Sequence, residues 1–279
     1  MFARSAKEDA QPARVLAGQK TMLSRTMHDI RYDEIHDELF VTNPFANAIL
    51  VFRGGATGEE PPIRIIQGPR TQISGNSDRL DVDPTNNEIF LPLRSRIVVF
   101  PRDGRGDIAP LRVISGPDTQ LVSAGSVAVD PVHNVIALGT SGESQPPEEH
   151  YGDLSVPVPT KGTIMIFNRT DSGNVKPKAV IGGPKTGIVR ILQLQIYSPK
   201  GWIVGTQPGR ADVEEPPGVY VGVWSINDNG DVPPRWKLAG PQTTLKKPRG
   251  VVLDPKHKEM IIADMRLNSV LTYYFPELF

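Results

Sequence analysis

The sequence predicts an all-β chain folded as a five-bladed β-propeller of four-stranded blades. Two observations predict it. A motif recurs five times at fixed offsets, and short β-branched and aromatic runs alternate with Gly, Pro, Asn and Asp. Residues 1–279 therefore read as a single domain.

The motif begins with an aromatic residue at the end of a strand-like run, followed ten residues later by proline. The pairs are Phe2 and Pro12, Phe52 and Pro62, Phe100 and Pro110, Phe167 and Pro177, and Trp224 and Pro234. Six residues beyond each proline stands a glycine (Gly18, Gly68, Gly116, Gly183, Gly240), and three further on a threonine (Thr21, Thr71, Thr119, Thr186, Thr243). A unit of about 40–50 residues is blade length. Such a unit cannot bury both its faces alone, so units stack around an axis.

Each unit divides into strands A to D. In the last unit, A is Val251-Val252-Leu253, B is Met260-Ile261-Ile262-Ala263 and C is Val270-Leu271-Thr272-Tyr273. Strand D follows the proline, as in Ile63-Arg64-Ile65-Ile66. Proline at its entry suits an outer strand, where a missing N–H is tolerated. Asp83-Pro84, Asp130-Pro131 and Asp254-Pro255 start tight A–B turns, and in the fourth unit Ser198 takes the place of the turn aspartate. The chain starts at the end of one strand C and finishes after another. The expectation is that residues 13–17 supply strand D of the last blade, pairing with 270–273 and closing the ring. The alternative is a six-bladed ring in a longer precursor.

Arg249-Gly250-Val251-Val252-Leu253-Asp254, then Met260-Ile261-Ile262-Ala263-Asp264 and Asn268-Ser269-Val270-Leu271, resemble the NHL repeat. That family's blades run Gly, apolar strand, Asp, apolar strand, Ala-Asp, Asn, apolar strand. The resemblance implies a propeller, usually six-bladed, and leaves function open.

Composition narrows the function. The 31 basic and 31 acidic residues balance, which disfavours nucleic-acid binding because that needs a basic excess. The absence of cysteine excludes disulfides, thiolate metal sites and cysteine nucleophiles. No apolar run reaches membrane-spanning length, and the N-terminus lacks an apolar signal-peptide core. A secreted or cell-envelope setting is the expectation. No phosphate loop, nucleophile elbow or paired zinc ligands occur.

Two long B–C insertions, residues 141–160 and 207–218, are expected side by side on one face. Their acidic residues include Glu148, Glu149, Asp153, Asp212, Glu214 and Glu215. Clustered carboxylates fit a cation or a basic partner, and long loops often carry function. On the same face strand A begins at the channel mouth, where His28, Asp29, Asp78, Arg79, Gln193 and Arg249 converge. His36, His133 and His257 fall on separate A–B turns of the opposite face. Arg105-Gly106-Asp107 is the ordinary C–D turn of the repeat.

The function expected is a non-enzymatic binding or scaffolding module. It engages protein partners through the loop face, as a subunit of a larger assembly, without a cofactor. The competing expectation is a divalent-metal-dependent hydrolase or lyase resembling gluconolactonase-type propellers. That resemblance implies an axial metal held by carboxylate, Asn and His side chains, with Asp29, Asp78 and His28 available. Arg79 and Arg249 beside them would repel a divalent cation, which ranks the enzyme second.

Overall fold

A computed structural model describes residues 1–25, 27–75, 77–142, 149, 152–155 and 161–279. Five antiparallel sheets form, each a meander in which chain order is spatial order. Blade 1 is β1 (Ile30–Asp33), β2 (Glu38–Asn43), β3 (Ala48–Arg53) and β4 (Arg64–Gln67). Blade 2 is β5 (Asp81–Asp83), β6 (Glu88–Pro92), β7 (Arg96–Pro101) and β8 (Arg112–Ser115). Blade 3 is β9 (Ala124–Asp130), β10 (Val135–Thr140), β11 (Thr163–Asn168) and β12 (Ala179–Gly182). Blade 4 is β13 (Gln193–Tyr197), β14 (Trp202–Gln207), β15 (Tyr220–Ser225) and β16 (Trp236–Leu238). Blade 5 has three strands: β17 (Pro248–Asp254), β18 (Glu259–Asp264) and β19 (Ser269–Tyr274). This is a β-propeller.

Strands B and C are mostly apolar in blades 2 to 4, each of which packs between two others. Phe40, Ile49, Val51 and Ile66 of blade 1 pack on Leu80, Ile89, Leu91, Val98 and Phe100 of blade 2. The motif aromatics Phe52, Phe100, Phe167 and Trp224 are fully buried.

The Gly-x-x-Thr signature has a local physical cause. Gly68 takes φ +135°, which an L side chain resists, and leads into a 3-10 turn over Pro69–Thr71. Thr71 Oγ1 donates to Gly68 O at 2.6 Å and accepts from Ile73 N at 3.2 Å, which fixes the turn. The glycine also seats the next blade. A Cβ on Gly68 would lie 2.4 Å from Asp107, whose Oδ1 accepts from Arg70 N at 2.7 Å. Gly116 meets Asn174, and Gly183 meets Asp231, in the same way. Alongside, single parallel bridges join Ile66 to Gly106, Ile114 to Gly173 and Ile181 to Gly230.

The expected closure is corrected by these latches. Leu16 bridges Gly58 and Gly18 abuts Glu59. Residues 13–17 thus sit in front of blade 1 as a D strand precedes the next blade, and they form no ladder with β19. Blade 5 stays three-stranded. Its packed face (Val251, Met260, Ile262) meets blade 4, while Val252, Val270 and Tyr274 on the other face are exposed. Arg4 reaches Glu259 at 2.9 Å. Glu38 and Glu88, at the same register position in blades 1 and 2, are held instead by the D-strand arginines Arg64 and Arg112.

Blade 4 carries a second correction. Tyr197 pairs with Trp202 as Asp33 pairs with Glu38, so Tyr197, not Ser198, stands at the turn-aspartate position. The slip of one residue sets Leu194 in the core.

Candidate functional site

The innermost strands β1, β5, β9, β13 and β17 surround the axis, and side chains laced across it fill it. Asp29 Oδ2 accepts from Leu80 N of blade 2 at 3.0 Å. Asp81 Oδ2 accepts from Val129 N of blade 3 at 2.8 Å. Gln193 Oε1 accepts from Val251 N of blade 5 at 2.8 Å, and its Nε2 donates across the axis to Asp29 Oδ1 at 2.9 Å. Arg31 Nε donates to Leu80 O at 3.0 Å, and Nη2 to Leu194 O at 3.3 Å. Burial pushes the Asp81 carboxyl up, and Arg31 offsets part of the rise.

Above this plug lies the mouth. His28 Nδ1 and Asp78 Oδ1 are 2.7 Å apart and both are exposed. Arg79 is buried, donating to His28 O at 2.7 Å, Asp78 O at 3.2 Å and Leu192 O at 3.2 Å. Arg249 stands exposed at the rim. Loss of hydration, followed by the Arg79 charge, lowers its guanidinium below the usual range. Asp29 and Gln193 belong to the plug below, so the six residues read from the sequence split between a closed channel and a rim.

Two rim cations escape the sequence reading. Arg190 is 8% exposed; its Nε donates to Gly209 O at 2.9 Å. Burial, then the nearby Arg249, lowers it to about 10. Lys247 is 4% exposed and donates to the carbonyls of Ala211, at 3.5 Å, and Val213. Burial, then Arg190 and Arg249, lowers its ammonium. It also lines a cavity of about 160 Å³ with Glu214, Met265, Arg266 and Asn268. The basic run Lys246-Lys247-Pro248-Arg249 at the start of β17 was the available signal.

The insertions join β10 to β11 and β14 to β15, and their described parts touch. Asp212 Oδ2 accepts from Gly152 N at 2.9 Å, and Arg210 donates to Asp153 O at 2.7 Å. The Arg210 guanidinium on Asp212 holds that carboxyl down to about 2. Glu215 pairs with Lys246 at 3.0 Å and Arg266 at 3.2 Å, and Glu214 with Arg266 at 3.2 Å. The second insertion's acids are thus neutralised by local bases. Glu149 and Asp153 are exposed, and Glu148 lies outside the described residues.

The turn histidines bond back to the turn carboxylates: His36 to Asp33 at 2.8 Å, His133 to Asp130 at 2.7 Å and His257 to Asp254 at 2.7 Å. Asp254, His257 and Glu259 come within 4.8 Å of one another. They lie on the face away from the insertions, and the Arg4 cation already occupies Glu259.

No protein-family description matches the chain, and no curated protein matches it in sequence. Solved structures do. Hydrazine synthase of Kuenenia stuttgartiensis superposes with a TM-score of 0.57 at 10% identity, covering 91% of this chain and 58% of that one. A putative 6-phosphogluconolactonase from Bacteroides uniformis gives a TM-score of 0.54 at 14% identity, covering 88% of this chain and 65% of that one. The chain therefore spans less than two thirds of either neighbour. At such identities the likeness is one of fold, that of a β-propeller.

Proposed function

We propose that this chain is a non-enzymatic binding module, of NHL-like type, working through the face that carries the channel mouth and the two insertions. The observation that carries the reading is the filled axis. Asp29, Arg31, Asp81 and Gln193 satisfy one another and the strand backbones, so what the mouth offers a partner is its charged rim. Enzyme sites are usually concave and enclose most of a small substrate; a rim suits docking to a larger surface. The partner is a protein, and the module serves as a subunit of a larger assembly.

The metal-dependent hydrolase or lyase reading needs several free oxygen ligands with no cation among them. Asp29 already accepts two hydrogen bonds, Asp78 is paired to His28, and Arg79 and Arg249 flank them. Titration with calcium, manganese or zinc, followed by thermal unfolding, tests the choice. No shift is expected in the wild type or in Asp78→Ala. A rise of several degrees in the wild type that vanishes in Asp78→Ala would establish the metal reading instead.

A further inference from the structure

Four cations gather at the mouth, and among the described residues no carboxylate lies in ion-pair contact with any of them; Asp78, Asp212 and Glu214 act on them only from a distance. Arg79, Arg190 and Lys247 are each less than a tenth exposed, and Arg249 stands beside them. Among the described residues none of the four makes an ion pair. The hydrogen bonds of Arg79, Arg190 and Lys247 go to neutral main-chain carbonyls: His28, Asp78 and Leu192 for Arg79, Gly209 for Arg190, Ala211 and Val213 for Lys247.

The nearby acids are engaged elsewhere. Asp78 faces Arg249 but is bonded to His28. Asp212 is bonded by Arg210, and Glu214 by Arg266. Asp29 is held by Leu80 N and Gln193. The backbone ties these cations together. Arg79 grips Leu192 O, two residues from Arg190, and Thr206 Oγ1 bonds both Gln193 and Arg249 O. Arg190 and Lys247 both hold the loop that starts the second insertion.

Buried charges are ordinarily paired, because an uncompensated one carries a large desolvation cost. Several like charges drawn together compound that cost, and the depression of Arg190, Lys247 and Arg249 reflects it. A fold that retains such a cluster is built to receive negative charge from outside. We propose that the channel mouth binds a small multivalent oxyanion, phosphoryl or carboxylate, between Arg79, Arg190, Lys247 and Arg249. Guanidinium forks match the planar edge of such groups, and the lysine supplies a point charge. This site rests on the reading of the mouth face as the binding face and names what it takes there.

Thermal unfolding in inorganic phosphate and in citrate, against sodium chloride at matched ionic strength, tests the site. Either oxyanion is expected to raise the melting temperature by several degrees in a saturable way. A response to phosphate alone assigns phosphoryl, and a response to citrate alone assigns carboxylate. Arg249→Gln is the safe variant, since Arg249 is exposed and no side-chain hydrogen bond of it appears among the described residues. It should weaken the apparent affinity about tenfold or more, the worth of one charge-assisted hydrogen bond. Lys247→Met should do the same. Shifts no larger than in sodium chloride, or shifts undiminished in both variants, overturn the proposal. Neither result bears on the divalent titration, so the binding-face reading fails or stands separately.

Discussion

At the residue scale, the motif positions have physical duties. Threonine in Gly-x-x-Thr locks a turn, and its glycine leaves room for the neighbouring blade's acid or amide. These duties are local, which is why they repeat in the sequence and can be read there. The site residues were legible only in part. His28, Asp78, Arg79 and Arg249 stand around the mouth, whereas Asp29 and Gln193 bond within the plug below. Lys247 and Arg190 were missed because they bond main-chain carbonyls and form no ion pair among the described residues, which no spacing reports. Asp212 supports a pH prediction. Its folded carboxyl is depressed to about 2 from 3.8, chiefly by Arg210. A depressed carboxyl contributes stability fully above its unfolded value and loses it as pH falls through the folded one. Melting curves of the wild type and Asp212→Asn should therefore differ by a constant few degrees above about pH 5, since the unfolded carboxyl titrates near 3.9, and converge toward pH 2. A difference that grows on acidification would contradict the assigned pairing.

At the element scale, the four D strands illustrate what a neighbour supplies. The residue after each entry proline donates to a C-strand carbonyl: Ile63 to Val51, Leu111 to Val99, Lys178 to Ile166 and Arg235 to Val223. Thr272 holds that place in β19, and no D strand covers it. The sequence showed that residues 13–17 have D-strand character and missed where they go. Their place is fixed by the latch to blade 1 (Leu16 on Gly58, Gly18 against Glu59), a contact between blades that chain order does not reveal. In a strand, N–H and C=O of one residue point to the same side. Hydrogen exchange should therefore protect the amides of Val51, Val99, Ile166 and Val223 while leaving Thr272 and Val270 fast. Protection of Thr272 equal to its counterparts in monomeric protein would restore the closure first expected. The open edge, with Val270 and Tyr274 exposed, is also the part of the molecule most exposed to aggregation.

At the scale of the whole molecule, net charge is zero, and that balance hides a division of labour. Away from the mouth, buried acids and bases pair between blades. Glu38 is held by Arg64 and Arg102, and Glu88 by Arg112 and Arg169, each set stitching one blade to the next. At the mouth, Arg79, Arg190, Lys247 and Arg249 form no ion pair among the described residues. Composition could exclude a globally basic surface but not a local one, because a handful of charges decides the rim. If the mouth is a binding face, its ionic preference is for anions. Calorimetric titration of the intact protein with phosphate or citrate, and separately with calcium or manganese, reads that preference directly. Saturable heat with phosphate or citrate and none with either metal is the predicted result. Saturable heat with a divalent metal and none with either oxyanion would contradict it.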